Sequence, residues 1–378
     1  MAKETYIIAV IPGDGTGPEL VDQGIKVIES VQKVIPDLKF IFNKLEMSSD
    51  LYRRTGVVCP PEEFDACREA DAIYKGPIGL LDVRYPDGTE LNVDIMLRFG
   101  LDMYANIRPI KLRPGSSSVL RDRTAGDIDY VVVRENSEGI YASWAGDIAK
   151  TKRAQASGII LRDEVAVDNV IITRKGTERI VRYAFELARK RNGAPVDGKK
   201  RVTCVDKSNV LKSYAFFRKV FDDVALEYTD IHTDYAYIDA MTQWMVRTPE
   251  WFDVVVVENM FGDIITDLGA ATVGSVGLGS SANIGVNNAM FEPIHGSSPK
   301  YAGKSIANPI GQILSGQMML EWLGERHDDD KARQGAKMIE RAVEILLVEG
   351  KVLTPDLGGS AKTYEVGDAI AQKIRNMN

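Results

Sequence analysis

Three cysteines and three histidines are all that 378 residues hold of the softer metal ligands. Cys59, Cys67 and Cys204 are odd in number and form no CxxC pair, which argues against a disulfide framework in a chain this large. His232, His295 and His327 lie far apart, none at the spacing of a histidine zinc or iron site. Basic residues are outnumbered, 47 against 54, for a net charge of −7. No Lys/Arg-dense block stands out, so a nucleic-acid partner is not expected. Long apolar runs are missing too. Tyr6–Ile11 is too short for a signal segment or a membrane span. The expectation is a reduced, soluble, cytoplasmic protein with no membrane partner.

What is present is ordinary globular material, 44% hydrophobic and 27% charged. The length suggests two domains. Short β-branched runs alternate with helical patterns. Tyr6–Val10, Asp71–Tyr74, Tyr130–Val133, Val170–Thr173, Arg201–Val205 and Asp253–Val257 read as strands. Pro18–Val31, Gly176–Arg191, Phe216–Val224, Asn308–Leu323 and Lys331–Glu349 read as helices. This alternation predicts an α/β fold with a largely parallel sheet. With no evident linker, the expected division is discontinuous: residues 1–103 plus 272–378, and an inserted 104–271.

Several constellations carry chemistry. Ile11–Glu19 is a glycine-rich turn between strand and helix. It suits a phosphate on its backbone N–H groups, or is simply a tight βα turn; it is not the GxGxxG dinucleotide fingerprint. Arg98 and Arg108 flank Leu101–Ile107, and Arg134 ends the Tyr130–Val133 strand, where α/β proteins bind ligands; guanidinium forks suit carboxylates. Surface or interdomain ion pairs are the ordinary alternative. Asp263 and Asp267, at i and i+4, share one helix face. Two carboxylates so close repel unless a cation lies between them, and oxygen-only ligands suit Mg²⁺ or Mn²⁺. One of them acting as a helix cap is the alternative. Lys207 ends a strand, and Asp239 is an acid in an apolar run. Both fit either a cleft or a salt bridge. The segment Phe291–Gly303 is turn-rich and able to wrap a ligand through its backbone, though alone it reads as a surface loop.

Taken in order, IPGDGTGPE (Ile11–Glu19), LRFGLDMYANIRP (Leu97–Pro109), VRENSEGIY (Val132–Tyr141), VDKSNVLK (Val205–Lys212), YIDAM (Tyr237–Met241), NMFGDIITDL (Asn259–Leu268) and EPIHGSSPKYAGKSIANP (Glu292–Pro309) resemble the β-decarboxylating dehydrogenases. That family includes isocitrate, 3-isopropylmalate, homoisocitrate, D-malate and tartrate dehydrogenases. The resemblance covers essentially the whole chain. It implies the family's own non-Rossmann α/β fold, with two domains, an interdomain active-site cleft and a homodimer with shared sites.

By the same resemblance, Arg98, Arg108 and Arg134 grip the carboxylates of a (2R)-malate core. Asp263 and Asp267 bind Mg²⁺ or Mn²⁺. Lys207, as base, and Asp239, as a further metal ligand, reach in from the second subunit. Tyr141 protonates the enol carbon. His295, Gly296, Lys300, Tyr301 and Asn308 hold the cofactor. The helix before Arg98 meets the C3 substituent, where Asn92 and Asp94 match neither the Ser-x-Asn of isocitrate enzymes nor the paired leucines of isopropylmalate enzymes. The C3 group is therefore left open, with small or hydroxylated D-malate- or tartrate-type substrates as the alternative. Lys300 and Tyr301 resemble the NADP form of the loop, yet Pro355 and Gly359 stand where NADP enzymes supply Tyr and Arg. NADP is expected, with NAD as the alternative. The rival classes are an inactive binding protein, against which the full charged set stands, and distant metal enzymes for phosphorylated substrates, which would need a His-rich site.

Overall fold

Gly17 and Pro18, the first two residues of the helix, lead the short turn after β1 (Tyr6–Ile11) into α1 (Gly17–Val34). Leu20, Val21, Val27, Ile28 and Val31 share the buried face of α1. This strand-then-helix unit sets the plan of the chain, of which a computed structural model describes residues 3–145 and 168–377. Next come β2 (Phe40–Lys44), α2 (Ser49–Thr55), α3 (Pro61–Glu69), β3 (Ala72–Lys75) and α4 (Val93–Gly100). The middle third supplies β4 (Ala105–Lys111), β5 (Asp129–Glu135), α5 (Arg174–Lys190), β6 (Arg201–Asp206), α6 (Lys212–Ala225), β7 (His232–Tyr237), α7 (Ile238–Arg247), β8 (Val254–Val257) and α8 (Asn259–Thr272). β9 (Ser280–Ile284), β10 (Ala289–Pro293), α9 (Ile310–His327), α10 (Asp330–Glu349) and α11 (Thr363–Arg375) complete it.

Among the described residues ten strands form one sheet, in the order β2-β1-β3-β10-β9-β4-β5-β8-β6-β7. The outer strands on both sides run parallel, as expected of buried apolar runs such as Val254–Val257. The centre does not. β10, β9, β4 and β5 are mutually antiparallel neighbours, which corrects the expectation of a largely parallel sheet at its middle. Strands from the two ends of the chain meet strands from its middle third at β9–β4. That joint is a ladder of three residue pairs, Ala105↔Ile284, Asn106↔Asn283 and Ile107↔Ala282. Helices cover both faces, over cores that include Ile28, Leu320 and Ile339, Leu97 and Met103, and Met241 and Ile265.

Val170–Thr173 is not a strand. Ile171 makes one isolated bridge to Gly139, and Thr173 instead caps α5, its hydroxyl accepting from Gly176 N at 3.0 Å. Thr173 N donates to Glu138 Oε2 at 2.8 Å, so the segment's polar groups are used in a cap rather than a ladder. α6 begins four residues before the predicted Phe216, and α9 begins after Pro309, where Asn308 Oδ1 accepts from Ile310 N.

Candidate active site

Two sizeable cavities flank the sheet's central joint, and chemistry separates them. The larger, about 470 Å³, is lined by the odd-numbered residues of β4, such as Ile107 and Pro109. Its cations are already paired: Lys111 and Arg113 with Glu340, Lys190 with Glu325, Arg191 with Asp129 and Asp253. The second, about 360 Å³, opens on the other face and is lined by Arg98, Arg108, Arg134, Tyr141 and Asp263, with Lys75, Asn92, Asp94, Glu292, His295 and Gly296. Alternation along β4 and β5 turns Arg108 and Arg134 to this face. Asn92 caps α4 through Ile95 N at 3.1 Å, which sets Arg98 in the helix's last turn.

The three guanidiniums are buried and converge near Asp263. Arg134 donates from Nε and Nη2 to Asn259 Oδ1 at 3.0 and 2.9 Å and pairs through Nη1 with Asp263. Arg108 Nη1 donates to Thr266 Oγ1 at 2.6 Å and lies 3.4 Å from Asp263. Arg98 Nη2 donates to Glu292 Oε1 at 3.0 Å. The Nε groups of Arg98 and Arg108 have no hydrogen-bond partner among the described residues. A buried unpartnered donor is costly, so these two point to an acceptor brought by a ligand. The lining carries four cations, with Lys75, against the carboxylates of Asp94, Asp263 and Glu292.

Glu258 caps α8, accepting from Met260 N and Phe261 N, and the helix then presents Asp263 and Asp267 one turn apart. Burial pushes the Asp263 carboxyl up, but Arg134, Arg108 and Arg98 outweigh it and hold Asp263 below the usual range. Partial desolvation by its surroundings raises the Asp267 carboxyl, although the residue keeps an exposed surface, and Arg108 only partly offsets this. Tyr141 donates to Asp263 Oδ2 at 3.2 Å. Burial first and Asp263 second raise its phenol, so it keeps its proton at neutral pH. Asp267 carries no hydrogen bond or ion pair among the described residues and does not line the cavity. Lys207 and Asp239 are not there either. They pair with each other at 2.5 Å. Among the described residues no set of three His, Cys, Asp or Glu side chains is gathered for a metal. Asp263 and Asp267 together still fit a hard divalent cation: oxygen donors one helical turn apart, one of them otherwise unengaged.

A further pocket of about 380 Å³ is lined by His295, Tyr301, Asn308 and Asp356, and His295 lines both this pocket and the arginine cavity. Burial pushes the His295 imidazole down, toward its neutral form. Lys300 is exposed beside the pocket, its ammonium 4.8 Å above the Tyr301 ring. The Ile11–Glu19 turn acts as a brace. Asp14 N donates to Pro77 O and Thr16 N to Ser297 O. Gly13 and Gly15 have φ of +77° and +58°, and a Cβ on either would lie 2.2 Å from those same carbonyls. Its N–H groups at Asp14 and Thr16 are therefore spent on the loops that border the cavity rather than offered to a phosphate.

Sequence reasoning missed Lys75, Asp356 and Asn283, and took Glu292 only as part of a loop. Lys75 was the findable one, a lysine closing the apolar strand Ala72–Lys75. Asn283 donates to Glu292 Oε1 at 2.8 Å and accepts from Asn106 and Asn136, an amide chain across the β9–β4 joint.

Comparison with known proteins agrees with this geometry. The family described as isocitrate/isopropylmalate dehydrogenase matches residues 7–370. The chain belongs to that family. Its relatives include a 3-isopropylmalate/3-methylmalate dehydrogenase of Methanocaldococcus jannaschii, 42% identical over 97% of this chain and 98% of the relative. A tartrate dehydrogenase/decarboxylase of Pseudomonas putida is 38% identical, with both chains fully covered. The crystal structure of an isocitrate dehydrogenase from Methylococcus capsulatus superposes with a TM-score of 0.82 at 36% identity, covering 98% of this chain and 99% of that one. The isocitrate/isopropylmalate dehydrogenase fold and membership of the β-decarboxylating dehydrogenases are thus established. No helix among the described residues is long and apolar enough to cross a membrane.

Proposed function

We propose that the protein oxidises and decarboxylates a (2R)-malate-type 2-hydroxy acid, with NADP⁺ preferred over NAD⁺ and with Mg²⁺ or Mn²⁺ at Asp263 and Asp267. The observation that carries this reading is the pair of buried, unpartnered Nε donors on Arg98 and Arg108, beside Arg134, in a cavity of net positive charge. A dicarboxylate satisfies both. Residues 1–103 with 272–378 and residues 104–271 are read as two domains, with the cavity between them.

When bound, the nicotinamide cofactor supplies a hydride acceptor and the divalent cation a Lewis acid toward the C2 oxygen. The protein's own residues do the rest. The arginines hold the substrate carboxylates and set C2 in place. Lys207, from a second copy of the chain, takes the hydroxyl proton. C2 loses its hydride to give a 3-carboxy-2-oxo acid. The C3–carboxylate bond breaks, CO₂ leaves, and the bonding electron pair passes into the C2–C3 bond to give an enolate. Tyr141 returns a proton to C3. What supports the second copy is that Lys207 and Asp239 pair away from the cavity within one chain, while neighbouring α7 and α8 expose Trp244 and Ile264. Three free cysteines suit a reducing cytoplasm.

The test is a panel of D-malate, tartrate, 3-isopropylmalate, isocitrate and homoisocitrate, with Mn²⁺ and each nicotinamide cofactor. Reduced cofactor and CO₂ in equal amounts with at least one acid are expected. Turnover of none would sink the reading.

A further inference from the structure

Lys75 closes β3 with its side chain buried at the cavity floor. Its ammonium lies 2.7 Å from Asp94 Oδ1, 2.8 Å from Glu292 Oε2 and 2.9 Å from the carbonyl oxygen of Gly76. The Gly76 carbonyl accepts a hydrogen bond from the ammonium, and the carboxylates of Asp94 and Glu292 face it as ion-pair partners, so its charge is already matched. Glu292 is shared, since Arg98 pairs with its other oxygen at 3.0 Å. Lys75 and Arg98 therefore face Glu292 and Asp94, two cations against two carboxylates, and the group is locally neutral. Burial drives the Lys75 ammonium down, but Asp94 and Glu292 outweigh it and raise it, so the lysine stays charged. Asn283, holding Glu292 from behind at 2.8 Å, fixes that carboxylate in place. Asp94 is the one member free to be judged separately. It stands at the start of α4, its side chain 28% exposed, on the cavity wall with Asn92, Ile95 and Ile78.

We propose that Asp94 is a specificity lock: by occupying Lys75 it limits the substrate to dicarboxylates whose C3 bears an uncharged group, and it excludes tricarboxylates. The inference rests on the 2-hydroxy acid reading above. Two substrate carboxylates match the free donors of Arg98 and Arg108 and the charge of Arg134. A third, on C3, would find the nearest remaining cation, Lys75, already paired with two carboxylates, and one of them, Asp94, on the cavity wall beside it. Hydrogen, hydroxyl and alkyl groups meet no such penalty and have Ile95 and Ile78 beside them. Removing Asp94 leaves two cations to share Glu292, and the uncompensated charge of Lys75 then faces the cavity.

The experiment compares wild type, Asp94→Asn, Asp94→Ser and the double variant Asp94→Asn/Lys75→Met. One set of measurements is kcat/KM on D-malate and isocitrate. The other is calorimetric affinity for succinate and tricarballylate, which needs no turnover. Wild type should favour the dicarboxylate of each pair. Either single variant should shift both ratios toward the tricarboxylate by about ten- to a hundredfold, the worth of one charged hydrogen bond. The double variant should lose that gain, because the gain depends on the ammonium. A wild type that binds tricarballylate as well as succinate overturns the proposal without any variant. So do folded single variants with unchanged ratios, or a gain that survives loss of Lys75. A shifted binding ratio with no turnover of any hydroxy acid would leave the lock standing and remove the reaction assigned above. Normal turnover with fixed ratios would do the reverse.

Discussion

Lys75 and Glu292 meet at 2.8 Å on neighbouring strands β3 and β10, with both side chains buried. Burial alone would raise the Glu292 carboxyl, but Lys75 and Arg98 overcome it and hold Glu292 well below the usual carboxylate range. A carboxyl depressed in the folded state adds stability above its unfolded pKa, and that stability is lost as pH falls through the folded value. Glu292→Gln leaves two buried cations short of a partner, at a cost of about 3–5 kcal/mol and a melting temperature lower by on the order of 10 °C. Thermal melts from roughly pH 6 down to pH 3 check the sign. Wild type should lose more stability than the variant at the acid end. Parallel curves would mean that Glu292 is not the charged partner of Lys75.

Asp267 tests the metal assignment more cleanly than Asp263. Asp263 also neutralises Arg134 and Arg108, so replacing it disturbs the arginine cluster itself. Asp267 is exposed and makes no hydrogen bond or ion pair among the described residues, so Asp267→Asn should leave the melting temperature of the metal-free protein within about 1 °C. Even indirect partners of metal ligands cost roughly 10- to 100-fold in affinity when removed, so a direct ligand should cost at least that. Mn²⁺ affinity by calorimetry is the readout. Unchanged affinity removes Asp267 from the site.

The parts of this site that could be read in the sequence are those whose chemistry is local. Asp263 and Asp267 needed only a helical period, and Arg134 needed only the strand that ends in it. Lys75, Glu292 and Asn283 are assembled by β3, β10 and β9 becoming neighbours, a long-range pairing that no spacing records. The same limit explains the sheet. Val254–Val257 is apolar enough to announce a buried parallel strand, whereas β4 mixes Asn106, Arg108 and Pro109 into its run and carries its polar side chains inward for the site. Its antiparallel partners follow from topology, not from composition. Val170–Thr173 misled because a β-branched run next to a helix also makes a cap.

Lys207 and Asp239 neutralise each other away from the cavity within one chain, so a site shared between copies has a direct consequence. Lys207→Met and Tyr141→Phe should each lower kcat at least about a hundredfold, the usual share of a proton-transfer group. Mixing the two inactive proteins under conditions that exchange subunits should restore up to about a quarter of wild-type activity, because a mixed dimer has one site with both groups intact. Native mass measurement with one variant isotope-labelled verifies the exchange. No recovery in verified mixed dimers would place Lys207 and Tyr141 in the same chain's site.

Lys300 stands beside the pocket of Tyr301, Asn308 and Asp356 with its ammonium over the Tyr301 ring. An exposed cation–π contact is worth only about 0.5–1 kcal/mol, so a phosphate could draw the ammonium away. The pocket's own carboxylate, Asp356, is already engaged by Asn308 Nδ2 at 2.9 Å and Ser275 Oγ at 2.7 Å, which lessens its repulsion of a phosphate. Pro355 supplies no hydrogen bond from its side chain, and Gly359 has none to give, so discrimination falls mainly on Lys300. One charge-assisted hydrogen bond is worth roughly 1.5–3 kcal/mol, about ten- to a hundredfold. Wild type is therefore expected to favour NADP⁺ over NAD⁺ by that order, and Lys300→Asp to invert the preference by adding repulsion to the lost attraction. The preference should also weaken in wild type as salt rises, since the contact is exposed and screened. The ratio of kcat/KM for the two cofactors, measured for both proteins at low and high ionic strength, decides it. A wild-type preference for NAD⁺ that Lys300→Asp leaves in place would show that Lys300 does not read the phosphate.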